Sequence, residues 1–113
     1  MATSSFTVTT YEVTLCREMS MGVVGATFYA CITCRSSGGD RFCLYFMRPD
    51  SPAVDNIYDP ITRWGSAYLT EEQFPWYIDL LRNEKPVYAY LNSEKPIWNR
   101  LFTGPEPVGE GEK

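Results

Sequence analysis

Ser36-Ser37-Gly38-Gly39-Asp40 lies between two runs that read as strands, and no other segment limits the fold so strongly. A Gly-Gly centre supplies the positive φ angles that a two-residue I′ hairpin turn demands. Upstream, residues 23–35 alternate, placing Ala26, Phe28, Ala30, Ile32 and Cys34 on one face. Downstream, 41–47 (RFCLYFM) reads as the returning strand. With the turn centred between Gly38 and Gly39, Cys34 falls opposite Cys43 as a non-hydrogen-bonded pair. Such a pair stands at the short limit of disulfide geometry, and in a reducing compartment two thiols packed as small hydrophobes are expected.

Residues 5–16 are rich in Thr, Val, Phe and Tyr and read as one long strand, with 17–22 (REMSMG) as the turn that follows. Residues 48–63 carry three prolines among Asp50, Asp55, Asn56 and Asp59 and break every periodicity, so a long loop is expected, then a short strand over 64–69. Thr70 and Gln73 have the spacing of a capping box, and Phe74, Tyr77, Ile78 and Leu81 fall at i, i+3, i+4 and i+7. A helix over 71–83 follows, with Leu69 and Phe74 as a hydrophobic staple and Pro75 expected to kink its first turn. Residues 86–92 and 97–103 read as a second hairpin about a turn at 93–96. That register puts Val87, Ala89 and Leu91 on one face with Trp98, Arg100 and Phe102, and Tyr88 and Tyr90 on the other.

The expectation is therefore an α+β fold: a curled antiparallel sheet of five to six strands packed on one α-helix, in the order βββ(β)αββ. Residues 1–103 form a single domain on this reading, and 104–113 (GPEPVGEGEK) an acidic Gly/Pro-rich tail that composition marks as disordered. The helix must bury its apolar stripe on the sheet, since nothing else can cover it.

Chemistry is limited by one absence: the chain has no histidine. The side chain that titrates near neutrality and most often ligates metals is missing, and with it the Ser-His-Asp and Cys-His nucleophile pairs. Cys31-Ile-Thr-Cys34 has the spacing of a zinc or redox dithiol, but three residues along a strand send the two sulfurs to opposite faces. The acids of 50–59 lack the rhythm of a calcium loop and read as turn-formers. Glu71 and Glu72 suit a helix's first turn rather than a catalytic carboxylate pair with Asp79. No metal or cofactor is expected.

Net charge is −4, and it divides as +1 over residues 1–48 and −5 over 49–113. An acidic second half repels phosphate, so nucleic-acid binding is not expected. No apolar run reaches the length of a membrane span, and the N-terminal residues lack the basic and apolar regions of a signal peptide; a cytoplasmic protein is expected.

Eight Tyr, six Phe and three Trp exceed what a small interior holds, so some rings should line a surface or pocket. Arg63, Trp64, Tyr88, Tyr90, Trp98 and Arg100 are the candidate binding residues, being of the types that dominate interface hot spots. Three functional expectations follow. The first is a non-enzymatic interaction module, self-associating as a homodimer through aromatic-rich sheet surface. The second is a small-molecule binding domain with an aromatic-lined pocket between sheet and helix. The third is an enzyme using a pKa-shifted carboxylate or tyrosine.

Overall fold

The computed structural model describes residues 2–20, 25–105 and 108, and among them the fold is α+β. The strands are β1 (Thr3–Thr7), β2 (Thr10–Ser20), β3 (Thr27–Arg35), β4 (Arg41–Met47), β5 (Ile57–Asp59), β6 (Trp64–Thr70), β7 (Val87–Asn92) and β8 (Arg100–Thr103). The helix is α1 (Phe74–Asn83), entered through a 3₁₀ turn at Glu71–Gln73. The strands divide into a three-stranded sheet, β1-β7-β8, and a five-stranded sheet, β2-β3-β4-β6-β5. Neither closes into a barrel. The expected single sheet is thus two sheets, and the reason lies at Val8-Thr9. The run over 5–16 breaks there, because Val8 N–H bonds to Val87 O at 2.9 Å while Thr9 N–H bonds to Arg35 O at 2.8 Å. Adjacent amides hand the chain from one sheet to the other. The expected turn over 17–22 also gives way, since β2 continues to Ser20 through a bulge between Leu15 and Met19. Residues 17–20 contain neither glycine nor proline to stop the strand, and the remainder of that segment lies outside the described residues, as does most of the 104–113 tail.

The first hairpin forms over β3 and β4, but its register is one residue from the expected one. Cys34 faces Phe42, and Thr33 faces Cys43. Gly39 has φ +98° while Gly38 does not reach the positive region, so only one of the two glycines takes the left-handed conformation. That is the signature of a three-residue loop with one αL residue, not of a two-residue I′ turn. Ser36 anchors it, its Oγ accepting from Gly38 N and Asp40 N at 3.1 and 3.0 Å. A second bulge, between Phe28 and Ala30, corrects another expectation. It turns Phe28 to the opposite face from Ala30, Ile32 and Cys34, where its ring meets Tyr45 edge-on at 5.1 Å. Tyr29 takes the inner position and packs against Phe74.

Residues 48–63 prove to be a crossover. β4 and β6 pair in parallel, with Leu44 opposite Ala67, so the chain must travel back along the sheet before β6 can begin. β5 forms within this return and pairs antiparallel with β6. Asp59 turns the chain as its residue type suggests, its Oδ1 accepting from Ile61 N at 2.9 Å.

At the start of α1, Gln73 Oε1 accepts from both Thr70 N (3.0 Å) and Thr70 Oγ1 (3.1 Å). Where Pro75 was expected to kink a continuous helix, the chain passes from a 3₁₀ turn into α1 at Phe74. The 3₁₀ turn absorbs residues 71–73, which leaves the proline in the first turn of α1, where a missing N–H breaks no ladder bond. The Glu71 carbonyl that a residue-75 amide would have met accepts instead from Phe74 N and from the Tyr29 hydroxyl at 2.7 Å. The Lys85-Pro86 peptide that follows is cis.

One core joins the pieces. Ala30, Ile32, Cys34, Phe42, Leu44, Phe46 and Ala67 from the five-stranded sheet cluster with Phe6, Val87, Ala89 and Leu91 from the three-stranded sheet. Leu81 is buried in that cluster, with Phe74, Tyr77 and Ile78 packed against it, as the i, i+3, i+4, i+7 spacing requires. Each fully buried aliphatic or phenyl group contributes about 1.5–3 kcal/mol. Asn99, 7% exposed, ties the sheets together by polar contacts: its Oδ1 accepts from Asn92 N (2.9 Å), and its Nδ2 donates to Ile57 O (3.0 Å) and Ser66 O (3.1 Å).

Candidate interaction surfaces

Because α1 and the three-stranded sheet pack on the same face of the five-stranded sheet, no helix or strand among the described residues lies over the other face. Register defines its rows. Thr14, Cys31, Tyr45 and Tyr68 lie side by side; then Glu12, Thr33, Cys43, Ser66 and Ile57; then Thr10, Arg35, Arg41, Trp64 and Asp59. The middle row is made of small side chains at its centre, and the large neighbours fold down over it. Ser66 Oγ donates to Tyr68 OH at 3.0 Å, and Trp64 Nε1 donates to Cys43 Sγ at 3.1 Å. Tyr45 stacks on Tyr68 with ring centroids 5.3 Å apart and planes at 11°. Cys43 and Ser66 are buried beneath these neighbours, with no helix or strand among the described residues over them. The result is a paved surface, half-buried at Tyr45 and Tyr68 and open at Trp64 (45% exposed) and Ile57 (58%).

Charge frames this paving. Arg41 lies over the Trp64 ring at 5.5 Å, and Glu12 pairs with Arg35. Arg63, at φ +61°, forms a two-pronged bond to Asp40, Nε to Oδ1 and Nη2 to Oδ2, each at 3.0 Å. Burial would raise the Asp40 carboxyl, but the Arg63 and Ser36 hydrogen bonds outweigh it and hold the group below its ordinary value. Arg63 is thus a clamp on the 36–40 loop, and Trp64 is part of the paving.

The other four expected residues lie elsewhere. In the β7–β8 hairpin Tyr88 faces Phe102 and Tyr90 faces Arg100. This register is one residue from the expected one. A 3₁₀ turn at Pro96–Trp98 uses an extra residue, and Asn99 is held inward by its three hydrogen bonds. Tyr88 and Tyr90 therefore share the outer face of the three-stranded sheet with Phe102 and Arg100, while Val87, Ala89 and Leu91 point to the core with Leu101. Arg100 stacks on the Tyr90 ring at 4.3 Å, and Tyr88 meets Phe102 at 5.3 Å. Trp98 does not anchor the core; it is 50% exposed, with the Lys95 ammonium 5.0 Å from its ring. The six residues thus do not share one surface: Trp64 lies on the five-stranded sheet, Tyr88, Tyr90 and Arg100 on the three-stranded sheet, and Arg63 and Trp98 in turns. Tyr45, Tyr68 and Phe28 were missed, as was the 68% exposed Trp76 on α1. The parity of 41–47 separates Cys43 and Tyr45 from Phe42, Leu44 and Phe46, so half of the paved row was visible; its β6 half required the parallel pairing.

Between α1 and the sheet the space is filled, Phe46 meeting Phe74 at 5.1 Å and Tyr77 at 5.7 Å. An open groove of about 850 Å³ includes Asn56, Tyr68, Tyr77, Lys95 and Ile97.

All four cysteines are free. Burial, reinforced by neighbouring thiols, pushes Cys34 up to about 12 and Cys31 to about 11. Burial also raises Tyr45, Tyr29 and Tyr77. Every displaced group among the described residues is moved away from neutrality, the reverse of what acid–base catalysis asks. The described residues hold no group of three or more Cys, Asp or Glu side chains placed to bind a metal ion, and no helix among them is long and apolar enough to cross a membrane. No protein-family model matches the chain, and neither a curated protein nor a solved structure matches it.

Proposed function

We propose that this protein is a non-enzymatic, cytoplasmic protein-interaction module that associates with copies of itself through its five-stranded sheet. The paved outer face carries the reading. Tyr45, Tyr68 and Trp64 form a flat, apolar, pre-ordered surface, its rings already fixed by stacking and hydrogen bonds. Rigid aromatic side chains ordered before contact lose little entropy on binding, and Arg41 and Arg35 supply a polar rim. Sedimentation equilibrium tests it. The wild type should exceed the 12.9 kDa of one chain, and Trp64→Ser with Tyr68→Ser should lower the measured mass while leaving the far-ultraviolet circular dichroism unchanged. A wild-type mass of one chain at every concentration up to about 300 μM, a range covering weak transient contacts, would exclude the reading.

A second reading has its own observation. The groove beside Tyr68 and Tyr77 combines two rings with Lys95, Asp55 and Glu94, a setting for a small aromatic molecule with polar groups. Thermal-shift screening with such compounds, repeated on Lys95→Ala, checks it; an unmoved melting temperature across the panel counts against it.

A further inference from the structure

The paved face is not the only unsatisfied surface of the five-stranded sheet. β2 forms one of its edges, and among the described residues no strand pairs along the outer side of Thr10–Leu15. An edge presents a row of backbone donors and acceptors, a template for another strand. Proteins usually blunt such edges with lysine, proline, bulges or very short strands. The other edges of this fold are short: β5 has three residues, β8 four and β1 five. β2 has eleven, and its Thr10–Leu15 stretch contains no lysine, proline, glycine or bulge. Apolar side chains stand along it in the open, Val13 at 39% exposure and Leu15 at 65%. Both lie on the core-side face, beside Tyr11, continuing the row of Cys34, Ile32 and Ala30.

We infer that β2 pairs antiparallel with β2 of a second copy, about a two-fold axis normal to the sheet at Val13, joining the two five-stranded sheets into one. The register follows from symmetry. A two-fold axis normal to a sheet keeps each side chain on its own face, so the axis must pass between a residue and its own counterpart. Centred on Glu12, it opposes two carboxylates, which destabilises the pair. Centred on Thr10 or Tyr11, it runs past the start of the strand at Thr10, and centred on Thr14 or Leu15, it draws the irregular segment between Leu15 and Met19 into the ladder. Centred on Val13, all five pairs fall in the regular stretch: Val13 on Val13, Tyr11 on Leu15 twice, and Glu12 on Thr14 twice. Those are aliphatic, aromatic–aliphatic and uncharged pairings, and no like charges meet. Self-complementarity of this kind identifies the occupant as a second copy of this chain rather than a foreign strand. The seam leaves the paved faces of both copies on the same side and uncovered, so it is independent of the contact proposed above.

Charge reversal at the axis tests the seam. Val13→Lys and Val13→Glu each oppose a charge to itself, and each should raise the dissociation constant about 5- to 30-fold by sedimentation equilibrium. Mixing the two variants should restore the association, because lysine then faces glutamate. Leu15→Lys, at a more exposed position, should weaken the pairing without touching the core, and circular dichroism confirms that each variant is folded. In the wild type, the outward-facing amides among residues 11–15, every second one, should exchange more slowly as concentration rises. Three results overturn the inference. A monomeric wild type removes it together with the self-association reading. An oligomer whose mass these edge substitutions leave unchanged removes it alone, as does a mixture of the lysine and glutamate variants that stays dissociated.

Discussion

Gly65→Ala is the most exacting test of how the two sheets meet. Gly65 lies on β6, on the core side of the sheet, opposite Phe42. A Cβ placed there would come within 2.7 Å of Leu91 Cδ2, 2.9 Å of Cδ1 and 3.2 Å of Cγ. Carbon atoms in contact prefer about 3.5–4.0 Å, so the methyl group intrudes by up to about 1 Å. Leu91 is 1% exposed, so its side chain can yield only by shifting within the core. Overpacking of this kind costs about 1–3 kcal/mol. Against it stands the lower conformational freedom of alanine in the unfolded chain, a gain of about 0.5–1 kcal/mol. The net expectation is a loss of about 1–2 kcal/mol, read by urea denaturation as a lower midpoint at unchanged slope. Leu91→Ala alone should cost about 2–5 kcal/mol through the cavity it leaves. In the double variant the new methyl group occupies part of that cavity, so the combined loss should fall short of the sum by about 1–2 kcal/mol. A Gly65→Ala protein as stable as wild type, or two losses that add within about 0.5 kcal/mol, would show that the sheets do not approach at this point.

Tyr29→Phe removes the hydroxyl that satisfies Glu71 O above Pro75; thermal unfolding should report a loss of about 0.5–1.5 kcal/mol with the helix retained by circular dichroism. Asn99→Ala leaves Asn92 N–H and two strand carbonyls without their partner, which should cost about 2–3 kcal/mol by urea denaturation, whereas an exposed asparagine would cost almost nothing. Cys34, fully buried, should resist a thiol reagent in native protein at pH 8 and react once the chain is unfolded. Its thiol titrates near 9.0 when free but near 12 in the fold. Its stabilisation is therefore complete below pH 9 and declines as pH rises from 9 toward 12, because only the unfolded chain releases the proton there. The descent in melting temperature above pH 9 should be shallower in Cys34→Ala. Arg63→Met should raise the carboxyl pKa of Asp40 toward its ordinary value, followed by NMR titration; the present stabilisation holds above that ordinary value and fades as pH falls through the depressed one.

Local pattern alone was enough for several elements. The limits of β4, the helix with its Phe74, Tyr77, Ile78 and Leu81 stripe, and the Thr70–Gln73 cap all follow from residue spacing, because helix and strand periodicities are set by backbone geometry within a few residues. The scarcity of interior room for so many rings was legible for a similar reason, since it depends only on chain length and composition. Registers were another matter. Both hairpins slipped by one position, at Gly39 and at Pro96–Trp98, because one residue more in a turn exchanges the two faces of a strand. The candidate residues followed the registers: Trp98 left the expected strand for the 3₁₀ turn, and Tyr88 and Tyr90 took Arg100 and Phe102 as neighbours.

Long-range pairing decided the rest. Nothing near Val8 announces that successive amides will bond to different sheets, and nothing in 48–63 announces that its wandering serves a parallel return to β6. Tyr45 and Tyr68 are far apart in the chain and become neighbours only through that return, so the strand parity that sets Tyr45 apart is completed into a paved face only by the pairing. Short-range periodicity specifies which side of an element is apolar. Which elements then lie together, and which apolar side is left facing water, is settled by contacts between distant parts of the chain.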